Sequence, residues 1–185
     1  MKTFEFTLVL EIDNIPLEEI EDKLYEAGCD DALLSFRNGI AYLNFDREAD
    51  DLEKAVGSAI HQAESSGLPL KVKRIEPSDL VTASEIARRL GRSKQSVQQL
   101  ISGVRGDGDF PVPLAGLTST TLIWSWQEVA DWFFTKNKID NKQICEEALI
   151  MKSWNDVLAL RDNQALQESL ENVKIAMNKN YNVIA

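Results

Sequence analysis

The chain has 185 residues, 44% of them hydrophobic and 27% charged, with a formal net charge of −10; this excludes wholesale disorder and suits two small folded units, since cores usually close at about 100 to 150 residues. One histidine, His61, and two distant cysteines, Cys29 and Cys145, match no metal-ligand or redox spacing, which leaves no expected metal, cofactor or catalytic residue. No basic flank leads into an apolar stretch at the start and no apolar run approaches about 18 residues, so a cytoplasmic protein with unpaired thiols and no membrane partner is expected.

In residues 3–12 the apolar side chains Phe4, Phe6, Leu8, Leu10 and Ile12 take every even position, the pattern of a half-buried strand. Pro16 starts a helix with Leu17, Ile20, Leu24 and Ala27 on one face, and Gly28 can end it. Strands follow at 32–36 and 40–45, separated by Arg37-Asn38-Gly39, in which the Asn-Gly pair supplies the positive φ angles of a tight hairpin. Residues 48–66 read as a helix burying Leu52, Val56, Ala59, Ile60 and Ala63, with His61 solvated or partly buried. Leu68, Leu70 and Val72 alternate with Lys71 and Lys73 as a last strand. The order β-α-β-β-α-β resembles the ferredoxin-like split β-α-β fold, which hosts many functions and names none.

Residues 1–76 form this first expected unit, and residues 1–78 hold 17 acids against 8 bases. Glu18, Glu19, Glu21 and Asp22 make a solvated helix face or an acidic surface that docks a basic partner. The stretch 76–79, Glu-Pro-Ser-Asp, reads as the linker, because proline interrupts regular structure where the charge balance changes.

From 84 to 105 there are five bases, Arg88, Arg89, Arg92, Lys94 and Arg105, against the single acid Glu85. Thr82-Ala83-Ser84-Glu85 is a capping-box sequence, in which threonine and glutamate each satisfy a free amide. The helix it starts buries Ile86, Ala87 and Leu90, and Gly91 stops it. Ser93 caps a second helix, whose Val97, Leu100, Ile101 and Val104 stripe packs on the first. Two short helices and a glycine turn follow the helix-turn-helix plan. Gln95, Gln99 and Ser102 lie opposite the stripe, with Lys94, Ser96 and Gln98 flanking it. Glutamine can pair with adenine N6 and N7 together, while Lys94 and Arg92 can reach phosphate. Beyond the flexible stretch 103–108, the segment 110–113 and a return strand at 121–126 make a candidate wing, within about 105–126. Trp124, Trp126, Val129, Trp132 and Phe133 close a small core.

The combination Thr82-x-x-Glu85-Ile86-Ala87-x-x-Leu90-Gly91-x-Ser93-x-x-Ser96-Val97, Phe110-Pro111-x-Pro113 and Trp124-x-x-x-Glu128-Val129-x-x-Trp132 resembles the AlpA and excisionase branch of the MerR-like winged helix-turn-helix proteins. The resemblance covers residues 79–135. It implies sequence-specific binding of double-stranded DNA, with a recognition helix at about 93–103 in the major groove and the wing beside it. The DNA-contact set is then Arg88, Arg92, Ser93, Lys94, Gln95, Ser96, Gln98, Gln99, Ser102, Arg105, Thr118, Ser119 and Thr120. Two departures stand out. Ile123 occupies a position often held by arginine, and the tip at 117–121 carries no base.

Residues 136–185 read as helical. Ile144, Ala148 and Met151 share one stripe, and in a longer helix at 156–178 Ala159, Asn163, Leu166, Leu170, Val173 and Met177 recur at spacings of four and three, as coiled-coil seams do. This segment either packs back on the protein or pairs with a second copy, and the tail 179–185 is expected to fray.

The expected fold class is therefore α+β: a ferredoxin-like unit, a winged helix-turn-helix unit and C-terminal helices. The expected function is a homodimeric transcription regulator of prophage type, with a protein partner or small ligand on the N-terminal unit. The alternatives are a phage-type architectural or recombination accessory protein, and an antitoxin-like adaptor with weak DNA binding. No Gly-rich phosphate loop, metal cluster or paired nucleophile points to an enzyme.

Overall fold

The computed structural model describes residues 1–12, 16–161 and 163–181, with the side chains of Leu17 and 179–181 outside the description. The chain is α+β. Its larger sheet has four antiparallel strands, β1 (Lys2–Ile12), β2 (Ala32–Arg37), β3 (Ile40–Ala49) and β4 (Leu70–Glu76), in the spatial order β2-β3-β1-β4. Helices α1 (Leu17–Glu26) and α2 (Leu52–Glu64) pack on the face that carries Phe4, Phe6, Leu8 and Leu10, where Ile20, Leu24, Val56, Ala59 and Ile60 close the core. The β2–β3 turn has Asn38 and Gly39 at φ 52° and 78°, as the Asn-Gly pair requires.

Two strands are longer than, or displaced from, their expected spans. β3 runs to Ala49 rather than 45, paired with β1 as far as Lys2, so Glu48 belongs to a strand and α2 starts only after the Asp51 cap. The inward alternation persists because Arg47, 6% exposed, takes an apolar position and is held by Asp31 at 2.8 and 2.7 Å, by Gln62 at 2.6 Å and by the Gly28 carbonyl at 3.0 Å. A charge survives burial when its donors are all used. β4 covers Leu70–Glu76 rather than 68–72, because a bulge opposite Val9 and Leu10 resets the alternation and turns both Val72 and Ile75 inward.

A second core gathers around α3 (Ala83–Arg89), α4 (Lys94–Ile101) and α5 (Trp126–Thr135), with Val81, Ile86, Val97, Leu100, Trp124, Val129 and Phe133 buried. Two short strands, β5 (Leu80–Val81) and β6 (Trp124–Ser125), pair ahead of α3 and α5. The expected return strand at 121–126 is thus cut to two residues, and its partner is β5 rather than 110–113. Pro111 and Pro113 have no N–H to give a ladder, and Pro111 instead accepts from Trp124 Nε1 at 3.0 Å. The 76–79 stretch is no slack linker either. The Asp79 carbonyl accepts from Trp126 N at 2.6 Å and its carboxylate from Gln127 N at 2.8 Å, so it satisfies the first two amides of α5, whose own cap is Ser125.

The first part of the C-terminal segment packs back on the protein. α6 (Gln143–Arg161) puts Cys145 and Ala148 into the second core and Met151 and Leu158 into the first. It also closes the β4 edge. Asn155 accepts from Ile75 N at 2.7 Å and donates to Ile75 O at 3.0 Å, as a neighbouring strand would, and Arg161 donates to Val72 O at 3.2 Å. The expected single helix at 156–178 is two helices. Asn163 is not an inward seam residue but accepts from Leu166 N at 2.9 Å and starts α7 (Gln164–Tyr181). Most of the expected frayed tail, 182–185, lies outside the described residues.

Candidate nucleic-acid interface

Thr82 Oγ1 accepts from Glu85 N at 3.3 Å and starts α3. The other half of the capping box does not form, because the Glu85 carboxylate turns outward to Arg88, at 2.9 and 2.6 Å, and to Arg89 at 2.9 Å. Those guanidinium hydrogen bonds, Arg88 first, hold Glu85 down to about 2, against the opposing effect of burial. After the turn at Gly91, φ 60°, Ser93 Oγ accepts from Ser96 N at 3.1 Å and starts α4. Val97 and Leu100 are buried and Ile101 half-buried, but Val104, expected in the stripe, is 78% exposed because the helix ends at Ile101.

Across from α4 the chain 114–123 forms a loop closed by the bridge of Ala115 with Ile123, with N–H to O distances of 3.1 and 3.3 Å. Gly116 cannot carry a side chain there. Its φ is +90°, and a Cβ would lie 2.0 Å from Thr121 O. Ser119 Oγ lies 3.2 Å from Gly116 O and 3.0 Å from Thr121 O, so this hydroxyl shapes the turn. Thr118 and Thr120 are exposed at its tip.

Between loop and helices lies a groove of about 390 Å³ lined by Lys94, Gln98, Thr120, Thr121, Ser84 and Trp124. Three expected site residues, Lys94, Gln98 and Thr120, thus meet. Gln95 and Ser102 are exposed, Ser96 and Gln99 half-buried. Sequence reasoning missed Ser84 and Thr121; Ser84 could have been found as the small polar residue in the first turn of α3, beside the start of α4.

The cations divide sharply. Arg92 does not reach the groove; it donates to Lys138 O at 2.6 Å and lies over the Phe133 ring at 5.2 Å. Arg88 and Arg89 face the four-stranded sheet, lining a cleft with Glu5 and Pro77. Among the described residues, Lys94 and Arg105 are exposed and carry no ion pair. After α4 the loop is fixed from behind, where Phe110 meets Trp132 edge-on at 5.0 Å and Lys136 binds Asp107 and Asp109, which lowers the Asp109 carboxyl chiefly by its hydrogen bond. One lysine charge thus offsets half the charge of these two acids.

A second hollow, about 440 Å³, separates the two cores, with Phe4, Leu52, Arg88, Trp126, Ile144 and Met151 among its walls. Both thiols are poor nucleophiles, since burial pushes Cys29 up to about 11 and raises Cys145 as well. Among the described residues no group of His, Cys, Asp and Glu could hold a metal ion, and no helix is long and apolar enough to cross a membrane. Comparisons with family models, curated proteins and solved structures find no match to this chain.

Proposed function

We propose that the chain is a site-specific double-stranded DNA-binding transcription regulator with no catalytic activity. In this reading residues 1–76 are a ferredoxin-like unit, and 79–135 are a winged helix-turn-helix unit of the AlpA and excisionase kind. The observation that carries it is the groove in which Lys94 and Gln98 of α4 face the hydroxyls of Thr120 and Thr121 across a closed loop. α4 offers amides and hydroxyls outward, the groups that read base edges, with unpaired Lys94 and Arg105 available for phosphate. The loop 114–123 is the wing, contacting the backbone through Thr118 and Thr120 rather than through charge. Pairing of α7 with a second copy sets two such heads on an inverted repeat. The hollow between the two cores is the place for a small effector in the cytoplasm, where its occupant would alter how the heads are held.

The test is a genome-fragment binding selection with the full chain and with K94A/Q95A/Q98A, at two salt concentrations. The expected result is one enriched inverted-repeat motif, lost in the variant, with affinity falling as salt rises and a slope shallower by about 0.9 for each phosphate contact removed. No enrichment above background overturns the reading. One observation favours a second reading, a protein-interaction adaptor: three of the five bases in this region, Arg88, Arg89 and Arg92, are engaged within the molecule. Strong binding to a basic protein partner with no salt-dependent DNA binding is its signature.

A further inference from the structure

The two edges of the four-stranded sheet are treated in opposite ways. On β4 the outward groups of Val72 and Ile75 are all taken: Val72 N by Glu64 at 2.9 Å, Val72 O by Arg161, and both Ile75 groups by Asn155. On β2 there is no such cover. An antiparallel ladder alternates inward and outward groups, and Asp46 N donates to Asp31 O at 3.2 Å. With Arg37 opposite Ile40 across the turn, Leu33, Ser35 and Arg37 bond to β3, while the N–H and C=O of Leu34 and Phe36 point away. Among the described residues nothing pairs with them, and β3 is the only strand beside β2.

Two apolar side chains of this edge, Leu33 and Phe36, and Tyr25 of the adjoining α1 are open to water. Tyr25 is 69% exposed, Leu33 67% and Phe36 50%. A hollow of about 180 Å³ sits between α1 and β2, lined by Leu24, Tyr25, Cys29 and Leu34 and by the carboxylates of Glu21 and Asp30. It is smaller than the roughly 300 to 1,000 Å³ of small-molecule pockets and of the scale of one large side chain. Natural proteins blunt exposed edges with lysine, proline or a covering element. β2 has none of these along Ala32–Phe36.

We propose that β2 is a strand-addition site, and that its occupant is an extended segment of a different protein in which apolar and basic residues alternate. Main-chain hydrogen bonds to Leu34 and Phe36 set the register, one apolar side chain enters the hollow, and basic side chains meet the carboxylates of α1 and the following turn. The charge argument selects the occupant. Glu21 and Asp30 line the hollow at the edge, Glu18, Asp22 and Glu26 add to the negative charge of exposed positions on α1, and among the described residues none of them is in an ion pair. A second copy would bring its own set of these acids against them, which opposes self-pairing. The proposal does not depend on the DNA reading.

The test is selection of peptides of about eight residues, an ordinary strand length, from a random display library against the full chain. The winning peptide is then synthesised with and without N-methylation of alternate amides. The expected result is an alternating apolar and basic pattern, new exchange protection at the Leu34 and Phe36 amides, and loss of binding on N-methylation. E21K/D30K, which changes only exposed positions, should weaken binding by about tenfold or more and flatten its salt dependence, with genome-fragment binding unchanged. L34P removes an outward N–H and should abolish binding; if that variant does not fold, the N-methylated peptide makes the same test. Protection that falls elsewhere, tolerance of N-methylation, or concentration-dependent self-association protecting the same amides each overturns the proposal.

Discussion

α6 and α7 follow one another in the chain with 19 and 18 residues, yet one is bound into the protein and the other stands off it. α6 buries Cys145, Ala148, Met151 and Leu158 along its length, and Asn155 and Arg161 use their polar ends to complete a sheet edge. α7 leaves Leu166 38%, Leu170 39%, Val173 51% and Met177 54% exposed. The more regular amphipathic stripe belongs to the helix that, among the described residues, packs on neither core. A helix that touches one surface needs one apolar face, whereas α6 lies against two cores and distributes its apolar residues accordingly.

The strongest way to break the contrast is Leu158→Ala. Leu158 is 5% exposed in the first core, and its truncation should destabilise the protein by roughly 2 to 5 kcal/mol in urea unfolding. A loss under about 0.5 kcal/mol, the range of surface substitutions, would mean that α6 is not part of that core.

That dependence bears on what a sequence can disclose. The alternation of Phe4 to Ile12, the Asn38-Gly39 turn and the caps Thr82 and Ser93 are readable because each rests on neighbours within a few residues. Asn155 serves Ile75 from 80 positions away, and Arg92 serves Lys138 from 46. Nothing local marks either as structural, and Arg92 therefore looks like a phosphate ligand in sequence. Arg47 is the same lesson inside a strand, a charge in an apolar slot whose partners come from Asp31 and α2. The groove itself was half legible. Lys94 and Gln98 follow from helix geometry, and Ser84 is readable in the first turn of α3, whereas Thr121 joins them only once the loop has folded across.

Asn155→Ala sharpens the comparison more gently. It strips partners from Ile75 N and O at once, and should cost about 1 to 3 kcal/mol, with faster amide exchange at Ile75 than elsewhere in the sheet. Uniform loss of protection across the sheet would argue for simple packing instead.

The division between bound and free also runs through the cations of α3 and α4, and Glu85 tests it by pH. Its folded value of about 2 lies below the ordinary 4.5, so its contribution is present above about pH 4.5 and disappears as pH falls toward 2. Glu85→Gln should cost about 0.5 to 1 kcal/mol near neutrality, discounted because the pair with Arg88 is open to solvent. The gap between variant and parent should close in acid, measured by thermal unfolding from pH 6 to 2. A gap that stays constant would assign the cost to helix propensity.

The smallest effect on stability is expected where the effect on assembly is largest. Replacing both Leu166 and Leu170 by lysine removes two exposed side chains from α7 and should change unfolding free energy by no more than about 0.5 kcal/mol, the range of ordinary surface substitutions. If two copies pair through this stripe, sedimentation should report a dimer for the parent chain and a monomer for the double variant. Binding to an inverted repeat should then fall far more than binding to a half-site, because one head loses the effective concentration supplied by the other. A parent chain that is monomeric at every concentration removes α7 as the dimer interface and leaves a single head with an unpaired helix.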